Sequence, residues 1–445
     1  MKPFLLFTAF LGIVTGAAAQ SFDAAKADSL LDRLNRHHKA MGAVSIYQEG
    51  KPVYQRGFGY AVTEKDIPNT PETIFRIGSV TKTFTAALVF KLIDEKQLRL
   101  EDRLSKWYPV IPNADSITIG QLLSHRSGIA NYTETPDFQT WIGTPRAQQE
   151  ILARLGKDTP DFKPGTKTEY SNTNYLLLGY IIEKVTGKEY CQALQQKILQ
   201  PLHLKNTACN WPKNAQQQET KSYSWDGEKW EMVPSTPWFA AGAAGGLYSS
   251  LPDLNTFITV LLEGKLVSKE AVEQMKKQQG GLGYGLIRIP FGKRYAYGHG
   301  GFIDNFSSMT AYFPEEKMSI SVALNATNTN FNDLMIGLLS IYFGEEYQLP
   351  EFDKEVSVPV ATLQQYEGVY RYDPIDMDIT VRLEGTQLTA QATGQGAFPL
   401  TAQTHASFSF EAAGIVIDFQ KIEHGKAQVL MLHQGGSNIP FERKE

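Results

Sequence analysis

At 445 residues, with 42% apolar and 20% charged residues and a formal net charge of −4, the chain is long enough for a sizeable core and more than one domain. It carries no charge field of the kind that attracts nucleic acid or an anionic membrane surface, and neither is expected as a partner. Two cysteines, Cys191 and Cys209, are too few for a disulfide framework or a cysteine zinc site. The eight histidines show no metal-ligand spacing, so neither a metal nor another cofactor is expected.

Lys2, the apolar run at 4–14 and the small residues Ala17-Ala18-Ala19 read as a secretory signal at 1–19, cleaved after Ala19. The run is too short to span a bilayer. A mature chain without a membrane span, secreted or periplasmic, is expected. An exported chain permits Cys191 and Cys209 either to pair or to remain two buried thiols. Residues 43–47 and 53–60 are strand-like and joined by Glu49-Gly50-Lys51-Pro52, the pattern of a hairpin. From Ser79 to about Leu261 helical periodicity and Gly/Pro-rich loops dominate, opening with the apolar stripe Phe84, Ala87, Leu88, Leu92 and Ile93. Strand-like runs return at 295–299, 306–313 and 318–324. The expected fold class is therefore α+β, an antiparallel sheet built from N- and C-terminal strands and flanked by a helical region. That domain is expected over 20–348. Residues 349–360, with Pro350 and Pro359 among charges, read as a linker. Six short strand-like runs between 368 and 433 predict a small all-β barrel over 361–445.

Three motifs carry chemistry. In Gly78-Ser79-Val80-Thr81-Lys82, a lysine three residues after a serine shares its helix face, close enough to take the hydroxyl proton. The N–H of Ser79 at a helix start could face a developing oxyanion. In Tyr170-Ser171-Asn172, a tyrosine beside a cationic lysine would have its pKa lowered and could carry protons, and the asparagine amide could orient both lysine and substrate. In His299-Gly300-Gly301-Phe302, glycines beside a strand allow close approach of a ligand, and the histidine offers a donor that is positive only below roughly pH 6.5.

Together the three motifs resemble the serine β-lactamase and penicillin-binding protein superfamily, and its class C β-lactamase-like branch in particular. Leu122-Leu123-Ser124-His125-Arg126-Ser127-Gly128 and Ala244-Gly245-Gly246-Leu247-Tyr248-Ser249-Ser250 look like further signatures of it. The resemblance implies that Ser79 is acylated and that Lys82 and Tyr170 share the proton transfers. It further implies that Asn172, His299, Gly301 and Phe302 contact substrate, with the N–H groups of Ser79 and Phe302 forming the oxyanion hole. The C-terminal part resembles the lipocalin-like barrel appended to many members. Many β-lactamases carry Lys-Thr-Gly where this chain has His-Gly-Gly, a pattern similar to that of peptidase and esterase members. The expectation is an exported serine hydrolase acting on a small-molecule or peptide substrate, an ester or a D-amino acid peptide. A true β-lactamase and a penicillin-binding or regulatory protein with little turnover are the alternatives.

Overall fold

The computed structural model describes residues 22–210, 220–352, 356, 358–410, 413–434 and 437–444. The expected signal segment at 1–19 lies outside the described residues, as does part of the expected linker. An antiparallel sheet runs in the order Ile287–Phe291, Arg294–Ile303, Phe306–Phe313, Met318–Thr327, Ala40–Gln48, Lys51–Phe58. The N-terminal hairpin thus pairs with the last strand of the C-terminal meander, Val44 opposite Val322. The hairpin turn is tighter than expected. Lys51 and Pro52 belong to the strand, and only Glu49 and Gly50 turn, both at positive φ (49° and 74°). Two left-handed residues give the twist that a two-residue hairpin needs.

Side-chain alternation assigns the two faces of the sheet. Val44, Ile46, Ile320, Val322 and Leu324 face the helices Ala24–Arg36 and Phe331–Phe343, forming one core. The opposite face carries small polar residues. Ser45 and Ser321 hydrogen-bond Asn255 of the Leu251–Leu262 helix, and Ser319 accepts from Thr259. Beyond that helix lies the larger core of the helical region, which includes Phe84, Leu88, Tyr175 and Phe257.

The serine-bearing helix, Thr81–Asp94, departs from the expected one-sided stripe. All residues from Thr81 to Phe90 are buried, so it is a central helix. Its polar residues are satisfied internally, Thr83 donating to the Gly285 carbonyl and Thr85 to that of Ala243. Threonines paired in this way can be buried, which hides the helix's depth from a periodicity reading. Gly78–Val80 precede it as a 3₁₀ turn.

The C-terminal region is a nine-stranded antiparallel sheet whose end strands, Phe398–Pro399 and Thr401–Ala402, are separated only by Leu400, leaving a nearly closed barrel. Its own core includes Tyr370, Leu388, Phe408, Phe419 and Phe441. The sequence reading misses Ile287–Phe291 and Ser437–Arg443, both interrupted by a proline (Pro290, Pro440) that weakens the strand pattern. Cys191 and Cys209 form a disulfide, tying the Tyr190–Leu194 helix to the residue after the short strand Thr207–Ala208. Among the described residues no helix is long and apolar enough to cross a membrane.

Candidate active site

The serine turn is held from both sides. Phe75–Arg76 pairs with Tyr248–Ser249, and Ile77 N–H donates to the Leu247 carbonyl. On the other side the strand Arg294–Ile303 passes so close that a Cβ on Gly301 would lie 2.0 Å from the Ile77 carbonyl oxygen, a contact only glycine avoids. The Cβ position of Gly78 is 2.7 Å from the Phe302 nitrogen, so that amide borders the serine turn. The third motif therefore lies inside a strand, which extends beyond the expected 295–299 through Ile303.

Ser79 Oγ accepts a hydrogen bond from the Tyr170 hydroxyl at 2.8 Å and lies 3.0 Å from Lys82 Nζ. Lys82 Nζ also donates to Asn172 Oδ1 and to the Ala244 carbonyl, both at 2.7 Å. Asn172 Nδ2 donates to Thr133 Oγ1 at 3.0 Å, which fixes the amide orientation. Ser79 is partly exposed, whereas Lys82 is completely buried. Burial holds the Lys82 amine well below its ordinary value of 10.5. Burial also pushes the Tyr170 phenol up, only partly opposed by its bond to Ser79. This reverses the sequence expectation of a cationic lysine lowering the tyrosine. No carboxylate is among its hydrogen-bond partners, and a buried unpaired ammonium is costly, so burial disfavours the charged form of the lysine.

His299 is buried, its ring centroid 6.4 Å from that of Tyr170. Burial, with any charge on Lys82 adding to it, lowers its pKa to about 4. Nδ1 lies 2.5 Å from the Gly300 carbonyl oxygen, which fixes the ring proton on Nδ1 and leaves Nε2 an acceptor. Instead of a donor that charges below pH 6.5, the position holds a neutral imidazole.

The sequence reading missed His125 as a support of Tyr170. Its carbonyl accepts from Glu169 N–H at 2.9 Å and its Nδ1 from Ser171 N–H at 3.0 Å, so both neighbours of Tyr170 are held by one residue. The ring stacks on Tyr170 at 4.4 Å between centroids. Burial keeps His125 neutral by lowering its pKa well below 6.5, as the acceptor role requires. The signal was in Ser124-His125-Arg126-Ser127-Gly128, read only as a family signature. Also missed were Thr133 and the Ala244 carbonyl. Ala244 belongs to the helix Trp238–Gly245, which is kinked at Gly242.

Ser79 sits at the junction of two cavities. One, about 810 Å³, is lined by Tyr132, Phe138, Ile142, Val233, Pro234 and Phe302, with Asn172 and Ala244 at its base. The other, about 520 Å³, is lined by Tyr170, His299, Leu282, Met309 and Phe331. Asp304, on the rim of the first, is ion-paired with buried Arg76 and accepts from Thr236 N–H at 2.9 Å. Away from both cavities, Trp225 and Trp230 pack on each other and Trp225 on His38. Trp238 and Phe239 line a separate, smaller cavity behind the kinked helix.

A partly exposed serine hydrogen-bonded to a buried lysine amine and a phenol, with backbone amides beside it, brings together the groups that acyl transfer uses, and the fold that holds it is the β-lactamase type. The chain belongs to the Beta-lactamase family, a family of serine hydrolases, whose profile matches residues 26–338. It is 28% identical over 320 residues to the teichoic acid D-alanine hydrolase of Staphylococcus aureus (strain MRSA252), covering 68% of this chain and 77% of the relative. Among solved structures it is similar to the octameric penicillin-binding protein homologue from Pyrococcus abyssi (TM-score 0.68, 27% identity, covering 95% of this chain and 99% of the other). It is also similar to a D-stereospecific amidohydrolase from Streptomyces sp. (TM-score 0.61, 27% identity, 72% and 98% covered).

Proposed function

We propose that this chain is an exported serine hydrolase that forms an acyl-enzyme at Ser79 on esters or amides of D-amino acids. The observation that carries the reading is the hydrogen-bond count at Lys82. Asn172 Oδ1 and the Ala244 carbonyl each accept from Nζ, and the third position of Nζ faces Ser79 Oγ at 3.0 Å, so in the deprotonated amine that burial favours, the lone pair is the position aimed at the Ser79 hydroxyl. Lys82 takes that proton as Ser79 Oγ bonds to the substrate carbonyl carbon. The carbonyl electron pair moves onto oxygen, facing the N–H groups of Ser79 and Phe302. On collapse the bond to the leaving group breaks, Tyr170 gives the leaving atom its proton, and the proton on Lys82 restores the phenol. Water then repeats the sequence in reverse and frees the acid.

The D-amino acid part rests on the relatives named for D-alanine hydrolysis and D-stereospecific amide hydrolysis. Neutral His299 argues against efficient β-lactamase action, because it offers no cation to a carboxylate. The intact Ser79, Lys82 and Tyr170 set argues against a purely binding or regulatory role. The proposed organisation is a signal at 1–19, a hydrolase domain at 20–348, a linker at 349–360 and a barrel at 361–445. The test is fluorophosphonate labelling, with D- and L-amino acid p-nitroanilides assayed on wild type and Ser79→Ala. Labelling at Ser79, a preference for D substrates and loss of turnover by about 10³-fold or more in the variant are expected. Near-normal turnover by Ser79→Ala would overturn the assignment.

A further inference from the structure

The two cavities at Ser79 differ in which catalytic groups reach them, and this decides which half of a substrate goes where. Tyr170, the donor to the leaving atom, lines only the 520 Å³ cavity. Asn172 and Ala244, the two partners of Lys82, line only the 810 Å³ cavity. Ser79 and Phe302 line both. With the carbonyl oxygen held at the amides of Ser79 and Phe302, the leaving group must extend toward Tyr170, and the acyl group is directed into the larger space.

The lining then describes each half. The acyl cavity is large enough for a drug-sized group, far more than the single methyl of a D-alanyl unit fills. Its walls Tyr132, Phe138, Ile142, Val233 and Pro234 are mostly apolar. Among its described lining residues the one carboxylate, Asp304, is already neutralised by Arg76 and hydrogen-bonded by Thr236, so a substrate ammonium finds no unspent negative charge. The leaving-group cavity is walled by Leu282, Ile287, Met309 and Phe331 and holds neutral His299, whose Nε2 is an acceptor. An acceptor welcomes an N–H or O–H and repels a carboxylate.

We infer that the preferred substrates carry a bulky, uncharged acyl group, such as an N-acylated aromatic D-amino acid, joined to an uncharged amine or alcohol. This rests on Ser79 being the acylated residue, and it separates the chain from an enzyme that recognises a free D-alanyl ammonium or a peptide's terminal carboxylate. Phe302, 67% exposed and shared by both cavities, is the partition between the two halves.

The test is a substrate matrix on the full chain. Acetyl, D-phenylalanyl, N-acetyl-D-phenylalanyl and succinyl groups are each joined to benzylamine, benzyl alcohol or D-alanine. Formation of the acyl-enzyme on Ser79 is followed by mass spectrometry alongside turnover. N-acetyl-D-phenylalanyl benzyl ester and amide should lead. A free ammonium, a succinyl carboxylate or a D-alanine leaving group should each lower kcat/KM by about tenfold or more. Val233→Trp, which narrows the acyl cavity, should cost the N-acetyl-D-phenylalanyl series about ten- to a hundredfold more than it costs acetyl esters. Met309→Trp should instead discriminate among leaving groups. A leading substrate with a free ammonium or a carboxylate leaving group would overturn the inference, as would Val233→Trp discriminating by leaving group. In either case acylation of Ser79 would still be seen. Absence of acylation by every compound would instead overturn the proposed function beneath it.

Discussion

In the role proposed for it Lys82 acts as a base only while it is uncharged, and its burial favours that form by lowering its pKa. Acylation should accordingly rise with pH through the depressed Lys82 value and fall on the acid side as the lone pair is lost. Lys82→Ala and Tyr170→Phe should each reduce the single-turnover acylation rate by about 10³-fold or more, and the double variant should lose far less than the product of the two. Fully multiplicative losses would show that the two do not share one proton network. His299 has a separate consequence, read in stability. Above pH 6.5 it is neutral folded or unfolded and contributes no pH dependence. As pH falls toward about 4, the unfolded chain takes up a proton that the folded one refuses, so stability is lost across that window. The loss is on the order of 3 kcal/mol, with His125 acting in the same direction. Urea unfolding of His299→Gln should show a shallower decline between pH 6.5 and 4, and an unchanged slope would refute it.

Elements meet at the site through two close approaches. The strand Arg294–Ile303 crosses the serine turn at Gly301, and Ser308 Oγ of the next strand donates to the same Ile77 carbonyl at 2.8 Å. Gly301→Ala would force strand and turn apart, moving the Phe302 amide away from the serine turn and from the oxyanion position proposed for it. An activity loss of about 10²-fold is expected, the scale seen when one oxyanion donor is removed. The folded content by circular dichroism should be largely retained. A fully active Gly301→Ala would mean that the turn and strand are not held in this register. Farther from the serine, the Cys191–Cys209 bridge closes a loop with a sequence separation of 18. Its loop-closure contribution is about 3 kcal/mol, so a reducing agent or Cys191→Ser paired with Cys209→Ser should lower the melting temperature by several degrees. A melting temperature indifferent to reductant would show that the bridge adds nothing.

In the whole molecule the hydrolase cores and the barrel core are built from separate sets of residues, divided at about residue 350. No described residue lining either cavity at Ser79 lies beyond Phe331. A chain ending at Leu349 should therefore keep Ser79 reactive toward a fluorophosphonate, provided gel filtration shows it folded and monodisperse. A folded truncation without labelling would show that the barrel completes the site.

The amino-acid sequence by itself singled out the residues that the structure brings together around Ser79, because their spacing is local: Ser79 and Lys82 are one helical turn apart, and Tyr170 and Asn172 flank one residue at a helix start. It also determined most strands of the main sheet and barrel, whose alternation follows from one face being buried. It could not show that burial disfavours the charged form of Lys82. That depends on which oxygens from distant segments, Asn172 and Ala244, close around the amine and on whether a carboxylate comes with them. Nor could it show that His125 supports Tyr170. Burial and protonation are properties of a three-dimensional neighbourhood, set only when the kinked helix, the serine turn and the strand through Gly301 close on one another.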